Sequence, residues 1–239
     1  METLINFFHI IINSFYDFYA PHICISCKSN IDLAKINRSK YICNKCLDST
    51  PLAPVHTYIK NELIQTLGID NTYIDNSYSL FANNEINDFK KVIYSLKYHK
   101  LKNIGVEFGQ LLWKKMQQEH CSNYDIIIPV PIHTAKKRER SYNQSDYIGR
   151  GVSLSSGINL GSKVVRRIKY TKSQTQLNSS QRQINVANVY QVMETEMIDA
   201  KKILLVDDVL TTGSTLNHLA KTLKKEGAQT VDVGTLLRA

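Results

Sequence analysis

Apolar positions follow two rhythms that take turns along this chain. Short segments read as strands: SYSLFA (77–82), the apolar run DIIIPVP (125–131), KVVRRI (163–168), KKILLVDD (201–208) and TVDVGTLL (230–237). Between them the spacing becomes helical. EINDFKKVIYSLKYH (85–99) places Ile86, Phe89, Ile93 and Leu96 on one face, and NIGVEFGQLLWKKMQQE (103–119) does the same. NQSDYIGRGVSLSSG (143–157) and STLNHLAKTLKKEG (214–227) end at glycines, as helices commonly do. Strands alternating with helices predict an α/β fold with a mainly parallel sheet flanked by helices. Residues 1–50 break that rhythm and close on Thr50-Pro51-Leu52-Ala53-Pro54, which sets two units, 1–50 and 51–239.

The opening METLINFFHIIINSFYDFYA is apolar and aromatic, so a targeting segment has to be weighed. Glu2 stands where a signal peptide has basic residues, Asp17 interrupts the stretch, and no small-residue cleavage pattern follows. Its apolar runs fall far short of the ~18 residues that span a bilayer. The expectation is an amphipathic helix, either docked on the domain or in peripheral contact with a membrane surface or partner, with no transmembrane segment.

Cysteine spacing changes the picture of the first 50 residues. Cys24, Cys27, Cys43 and Cys46 form C-x2-C-x15-C-x2-C, while Cys121 stands apart. Each C-x2-C turn brings two thiolates onto one ion, and two turns complete the tetrahedral sulfur set of a closed structural Zn2+ site. The competing reading is a pair of disulfides in an oxidised compartment. Zinc-bound thiolates predict a small zinc-ribbon-like module and a cytoplasmic location.

The chain has 239 residues, 43% hydrophobic, which suits one full domain plus a small module at about 150 residues per domain. Its formal net charge of +9 raises the prior for phosphate-bearing partners. That charge is local. From His133 to Met193 stand 11 Lys/Arg against Glu139 and Asp146, and the remainder carries 19 of each sign.

The densest chemistry lies in Ile203–Thr215, ILLVDDVLTTGST. A buried strand delivers Asp207 and Asp208 to its C-terminal end, where open α/β sheets bind ligands. The following hydroxyl-rich turn opens a helix whose N–H groups and dipole favour a phosphate. This stretch closely resembles the phosphoribosyl-pyrophosphate (PRPP) loop of type I phosphoribosyltransferases. The resemblance implies that Asp207 and Asp208, the candidate catalytic pair, hold the ribose 2′- and 3′-hydroxyls. It also implies that Val209, Leu210, Thr211, Thr212, Gly213, Ser214 and Thr215 form the phosphate loop, with Mg2+ arriving with PRPP.

Further blocks narrow the resemblance. Ile128-Pro129-Val130-Pro131-Ile132-His133, then Lys136, Arg138, Glu139, Arg140 and Tyr142-Asn143-Gln144, looks like a signature of ComF-type competence proteins. Arg167, Thr171, Gln174, Leu177, Arg182 and Asn185 keep the spacing of a second block, and Leu96-Lys97-Tyr98 resembles a third. The four-cysteine module sits where that family carries one. Ser141 departs from the pattern, since a glycine is usual there.

A ComF-like chain implies a PRPP/Mg-binding domain acting in DNA uptake and natural transformation, with single-stranded DNA and competence or recombination proteins as partners. The alternative is an active phosphoribosyltransferase, in nucleotide salvage or a related pathway, whose acceptor the sequence does not name. Pro129, Val130 and Pro131 offer rigid backbone on the pyrophosphate side, with Arg138 and Arg140 as cations. Lys169, Lys172, Gln174 and Arg182 belong to a polar tract that either closes over substrate or is a plain surface loop, and its charge also suits a DNA strand. Tyr142, Tyr147, Tyr170 and Tyr190, interleaved with the basic block, are candidate stacking residues.

Overall fold

The computed structural model describes residues 22–31, 38–83, 89–98, 101–168 and 189–239. In chain order the strands are β1 (Ser77–Ala82), β2 (Ile126–Pro129), β3 (Asn159–Leu160), β4 (Val165–Arg167), β5 (Tyr190–Val192), β6 (Lys202–Leu210) and β7 (Thr230–Arg238). The helices are α1 (Asn44–Asp48), α2 (His56–Leu67), α3 (Phe89–Tyr98), α4 (Lys102–Gln118), α5 (Thr134–Arg140), α6 (Gln144–Ser156) and α7 (Ser214–Lys225). Five strands make one parallel sheet in the order β1-β7-β6-β2-β3. The expected α/β fold with helices on both faces is what forms.

Period-two alternation along β6 explains the two layers. Leu204 and Val206 join a core with Phe89, Leu96, Phe108, Leu112 and Ile148, from α3, α4 and α6. Ile203 and Leu205 join the opposite core with Ile59, Leu63, Leu216 and Leu219, from α2 and α7. Both faces of this strand are therefore buried, which is why its sequence is an unbroken apolar run rather than an alternating one. Each such Leu or Ile contributes roughly 1.5–3 kcal/mol by leaving water.

Helices α4 and α6 meet backbone to backbone. A Cβ at Gly109 would lie 2.2 Å from Ile148 O, and one at Gly151 would lie 2.1 Å from Val106 O. Only glycine fits at either place, and the contact fixes α6, whose N-terminus reaches the end of β6. The run KVVRRI forms β4 as expected, but not in the main sheet. It pairs antiparallel with β5, with Arg167 opposite Tyr190.

The cysteine module packs on the same core. Cys24, Ile42 and Leu47 join Phe89 and Phe108, and Lys40 N donates to Glu107 Oε2 of α4 at 3.3 Å. The proline-bearing segment after it does more than connect. Ala53 N donates to Leu80 O (3.1 Å) and Ala82 N to Pro51 O (2.9 Å), so this segment covers the outer edge of β1. Among the described residues no helix is long and apolar enough to cross a membrane. The expected N-terminal helix and residues 85–88 of the helix before α4 lie outside the described residues.

Candidate functional site

The C-terminal ends of β2 and β6 lie side by side, with Pro129 opposite Val206 and Val130 N donating to Val206 O at 2.9 Å. Sheet register thus brings the PVP turn directly beside Asp207 and Asp208. After Leu210 the chain turns through Thr211 and Thr212 to Gly213, which has φ +75° and precedes α7. A side chain there would be strained twice, since its Cβ would also lie 2.4 Å from Leu63 Cδ2. Thr211, Thr212, Ser214 and Thr215 are exposed; the N-cap Gly213 brings no side chain, and Thr212 Oγ1 accepts from Ser214 N at 3.4 Å. The helix therefore presents its N-terminal N–H groups outward. From behind, Arg238 Nη1 donates to the carbonyls of Leu210 (3.4 Å) and Thr211 (3.1 Å), while its Nε donates to Glu62 Oε2 at 3.2 Å.

Three sequence blocks converge on the two carboxylates. Ser145 Oγ donates to Asp207 Oδ1 at 2.8 Å, as does Asp208 N at 2.9 Å. Lys97 Nζ lies 3.0 Å from Asp208 Oδ2. Asn143 caps α6, accepting from Ser145 N, and its Nδ2 donates to Val130 O at 3.1 Å, tying the PVP turn to that helix. Tyr142 donates its hydroxyl to Leu96 O, which fastens the last turn of α3. Burial, and then the neighbouring Asp208 charge, raise the Asp207 carboxyl to about 7, against the opposing pull of Ser145, the Asp208 N–H and Lys97. Lys97 and Ser145 are the site residues that sequence reasoning missed. Their motifs were visible; their contacts with the acids are through space.

The cations on the PVP side divide. Arg138 is exposed on α5, as are Lys136 and Lys137. Arg140 is engaged: its Nη1 donates to Gln144 Oε1 (3.2 Å), its Nη2 to Tyr98 Oη (3.3 Å), and its guanidinium lies 5.1 Å from the Tyr98 ring centre. His133 is the N-cap of α5, with Nδ1 accepting from Ala135 N at 3.2 Å. Ser141 adopts φ +68°, the left-handed conformation that favours glycine, so the departure from the family pattern carries a backbone cost without losing the turn.

The tyrosine expectation needs correction. Tyr142 and Tyr190 are buried, so neither offers a face for stacking. Exposed tyrosines lie elsewhere: Tyr58 on α2 is 56% exposed, and Tyr94 and Tyr98 on α3 are 55% and 45% exposed, with ring centres 4.6 Å apart. Tyr190 belongs instead to the β4–β5 ribbon, where Arg167 lies 5.8 Å from its ring. Burial raises its hydroxyl to about 12, Arg167 opposing and Asp207 adding. Lys169, Lys172, Gln174, Arg182 and Tyr170 lie outside the described residues.

Far along the same core, the sulfur atoms of Cys24, Cys27, Cys43 and Cys46 all lie within 4.8 Å of one another. A tetrahedral ion with Zn–S bonds of about 2.3 Å needs sulfurs about 3.8 Å apart. Cys27 and Cys43 are 3.7 Å apart, so the set fits zinc. The first knuckle closes through Cys24 N donating to Ser29 O (2.8 Å) and Lys28 N to Cys24 O (2.9 Å). Among the described residues this is the one cluster of three or more metal-ligating side chains.

Comparison with known proteins assigns a class to this edge. The model of the phosphoribosyl transferase domain matches residues 148–239, which span β6, the Asp pair, the hydroxyl loop and α7. The chain carries that domain. It is a homologue of competence protein F of Haemophilus influenzae, 35% identical over 116 residues that cover 48% of this chain and 51% of the relative. It is also a homologue of DNA utilization protein YhgH of Shigella flexneri, 30% identical over 152 residues, 62% of this chain and 66% of the relative. The chain therefore spans about half of the first relative's length and just under two thirds of the second's. Among solved structures, glutamine PRPP amidotransferase from B. subtilis is similar with a TM-score of 0.42, at 18% identity, covering 59% of this chain and 30% of that one.

Proposed function

We propose that this chain binds PRPP with Mg2+ at the C-terminal edge of β6 and β2. One observation carries the reading: two adjacent carboxylates are followed along the chain by a turn of exposed hydroxyls and a helix whose N-cap is a glycine. Carboxylates accept from vicinal sugar hydroxyls, while helix N-terminal N–H groups and hydroxyls donate to a phosphate. Asp207 and Asp208 would take the ribose hydroxyls, and the loop Val209–Thr215 the 5′-phosphate. Pro129, Val130 and Pro131 would lie against the pyrophosphate, with Arg138 near it; Arg140 joins only by leaving Tyr98. Mg2+, when bound, neutralises the diphosphate oxygens. The protein's own part in a transfer is to orient the ribose so that a nucleophile displaces pyrophosphate at C1′ through an oxocarbenium-like state. Asp207 and Asp208 would do that once Lys97 leaves Asp208, and the acceptor decides whether turnover occurs.

The biological setting we propose is DNA uptake, from the names of the relatives, with the chain in the cytoplasm and organised as a zinc-bearing unit (1–50) and a PRPP-binding unit (51–239). Contact with single-stranded DNA gains support from the Tyr94–Tyr98 pair next to Arg140 and the exposed Lys136, Lys137 and Arg138, a combination of π faces and cations. Co-crystallisation with PRPP and Mg2+ tests the site. Ribose density on Asp207 and Asp208 with a phosphate at Thr211–Thr215 supports the reading; PRPP bound elsewhere, or not at all, sinks it.

A further inference from the structure

Asp208 cannot meet a sugar as it stands. Its side chain is 6% exposed, and its Oδ2 is already paired with Lys97 Nζ at 3.0 Å, the lysine side chain being 23% exposed. A ribose hydroxyl arriving at this carboxylate competes with an ammonium for the same small opening.

The backbone around Lys97 is held by its neighbours, and its side chain by the Asp208 ion pair alone among the ion pairs described. Leu96 O accepts from the buried Tyr142 hydroxyl, and Tyr98 packs under the Arg140 guanidinium. From that fixed base a four-carbon stem carries a compact charge with three rotatable donors. Its charge also answers a need of the empty site. Two adjacent carboxylates repel, and burial already raises Asp207 to about 7. The Lys97 ammonium offsets part of that repulsion. A diphosphate beside the PVP turn, next to Asp207 and Asp208 in the sheet register, would offer the same ammonium a larger negative charge.

We infer that Lys97 is a displaceable counter-ion, holding Asp208 in the empty site and passing to the ligand's diphosphate when ribose hydroxyls take the carboxylate. This rests on the PRPP reading above. It makes Lys97 a binding residue that discriminates a pyrophosphorylated pentose from one phosphorylated only at O5. Ribose 5-phosphate has to displace the lysine and offers it no diphosphate in return.

The test is a pair of affinities on wild type, Lys97→Met and Lys97→Arg, each first shown to be folded by circular dichroism. PRPP with Mg2+ is titrated calorimetrically, and ribose 5-phosphate is read by its displacement of PRPP. Loss of one charge-assisted contact predicts that Lys97→Met weakens PRPP about 10- to 100-fold. Ribose 5-phosphate should bind it as well as, or several-fold better than, wild type. Lys97→Arg should recover much of the PRPP affinity. A parallel fall for both ligands makes Lys97 a fixed prop and overturns the inference, as does unchanged PRPP affinity. Should Lys97→Met not fold, the wild-type complex decides: Nζ on a diphosphate oxygen supports the exchange, and Nζ still 3 Å from Asp208 refutes it. No PRPP binding by wild type is a different failure, that of the underlying site.

Discussion

Two neighbouring strands carry buried acids at opposite ends, and the protein treats them differently. At the start of β7, Asp232 is 1% exposed and enclosed by neutral donors. Tyr124 Oη donates to its Oδ2 at 2.7 Å, and Asn76 Nδ2 lies 3.2 and 3.3 Å from its two oxygens. Burial raises that carboxyl, while Tyr124 and Asn76 oppose the shift. At the far end of β6, Asp207 and Asp208 lean on a serine and a lysine ahead of a helix whose N-cap is a glycine. Both ends bury carboxylates, but only one leaves demand that a ligand can fill. An acid surrounded by fixed neutral donors is architecture; an acid whose partner is a long cationic side chain at the sheet's ligand edge is a site.

The largest test of that contrast is stability. Asp232→Ala should destabilise the protein by about 2–4 kcal/mol in urea unfolding, because Tyr124 and Asn76 lose a buried acceptor. PRPP affinity of the folded fraction should stay within about threefold. Weakened binding with intact stability would invert the comparison.

Asp207 is tested through its pH dependence. Its folded-state value, about 7, stands above the ordinary 3.8. The stability it contributes is therefore fully present below about 3.8, falls as pH rises, and is gone above about 7. Asp207→Asn removes that dependence. Thermal melts should show the variant gaining on wild type by several degrees between pH 4 and pH 8, and a constant offset would refute the assigned environment. The same group predicts ligand linkage. Ribose hydroxyls favour the ionised carboxylate, so PRPP affinity should fall below pH 7, approaching tenfold per unit. A flat calorimetric profile from pH 6 to 8 would count against it. The smallest effect is local: Ser141→Gly should stabilise by about 1 kcal/mol by relieving a left-handed serine.

Much of this was legible beforehand. Strands β2 and β6 stood out because burial on both faces writes them as apolar runs, and α4, α6 and α7 because each hides one stripe. The Asp pair and the four cysteines were legible because their chemistry is local in sequence. Helix α2 was not, since HTYIKNELIQTL reads as polar and buries little beyond Ile59 and Leu63. Nothing local separates β4 from the main sheet, because sheet membership depends on partners. Nor does periodicity report that Gly109 and Gly151 touch, or that Ser145 and Lys97 meet the acids; Ser145 is 62 residues from Asp207. Tyr142 and Tyr190 misled for the same reason: residue type and spacing suggested stacking, and packing buried both rings.

The central claim is that the β6 edge, and not the basic block alone, binds the sugar phosphate. Calorimetric titration of Mg-PRPP into wild type and Asp207→Ala/Asp208→Ala tests it most directly. The account predicts saturable binding by wild type and at least a 100-fold loss in the double variant, with the zinc content of both proteins unchanged. Equal affinity in the two proteins would contradict it.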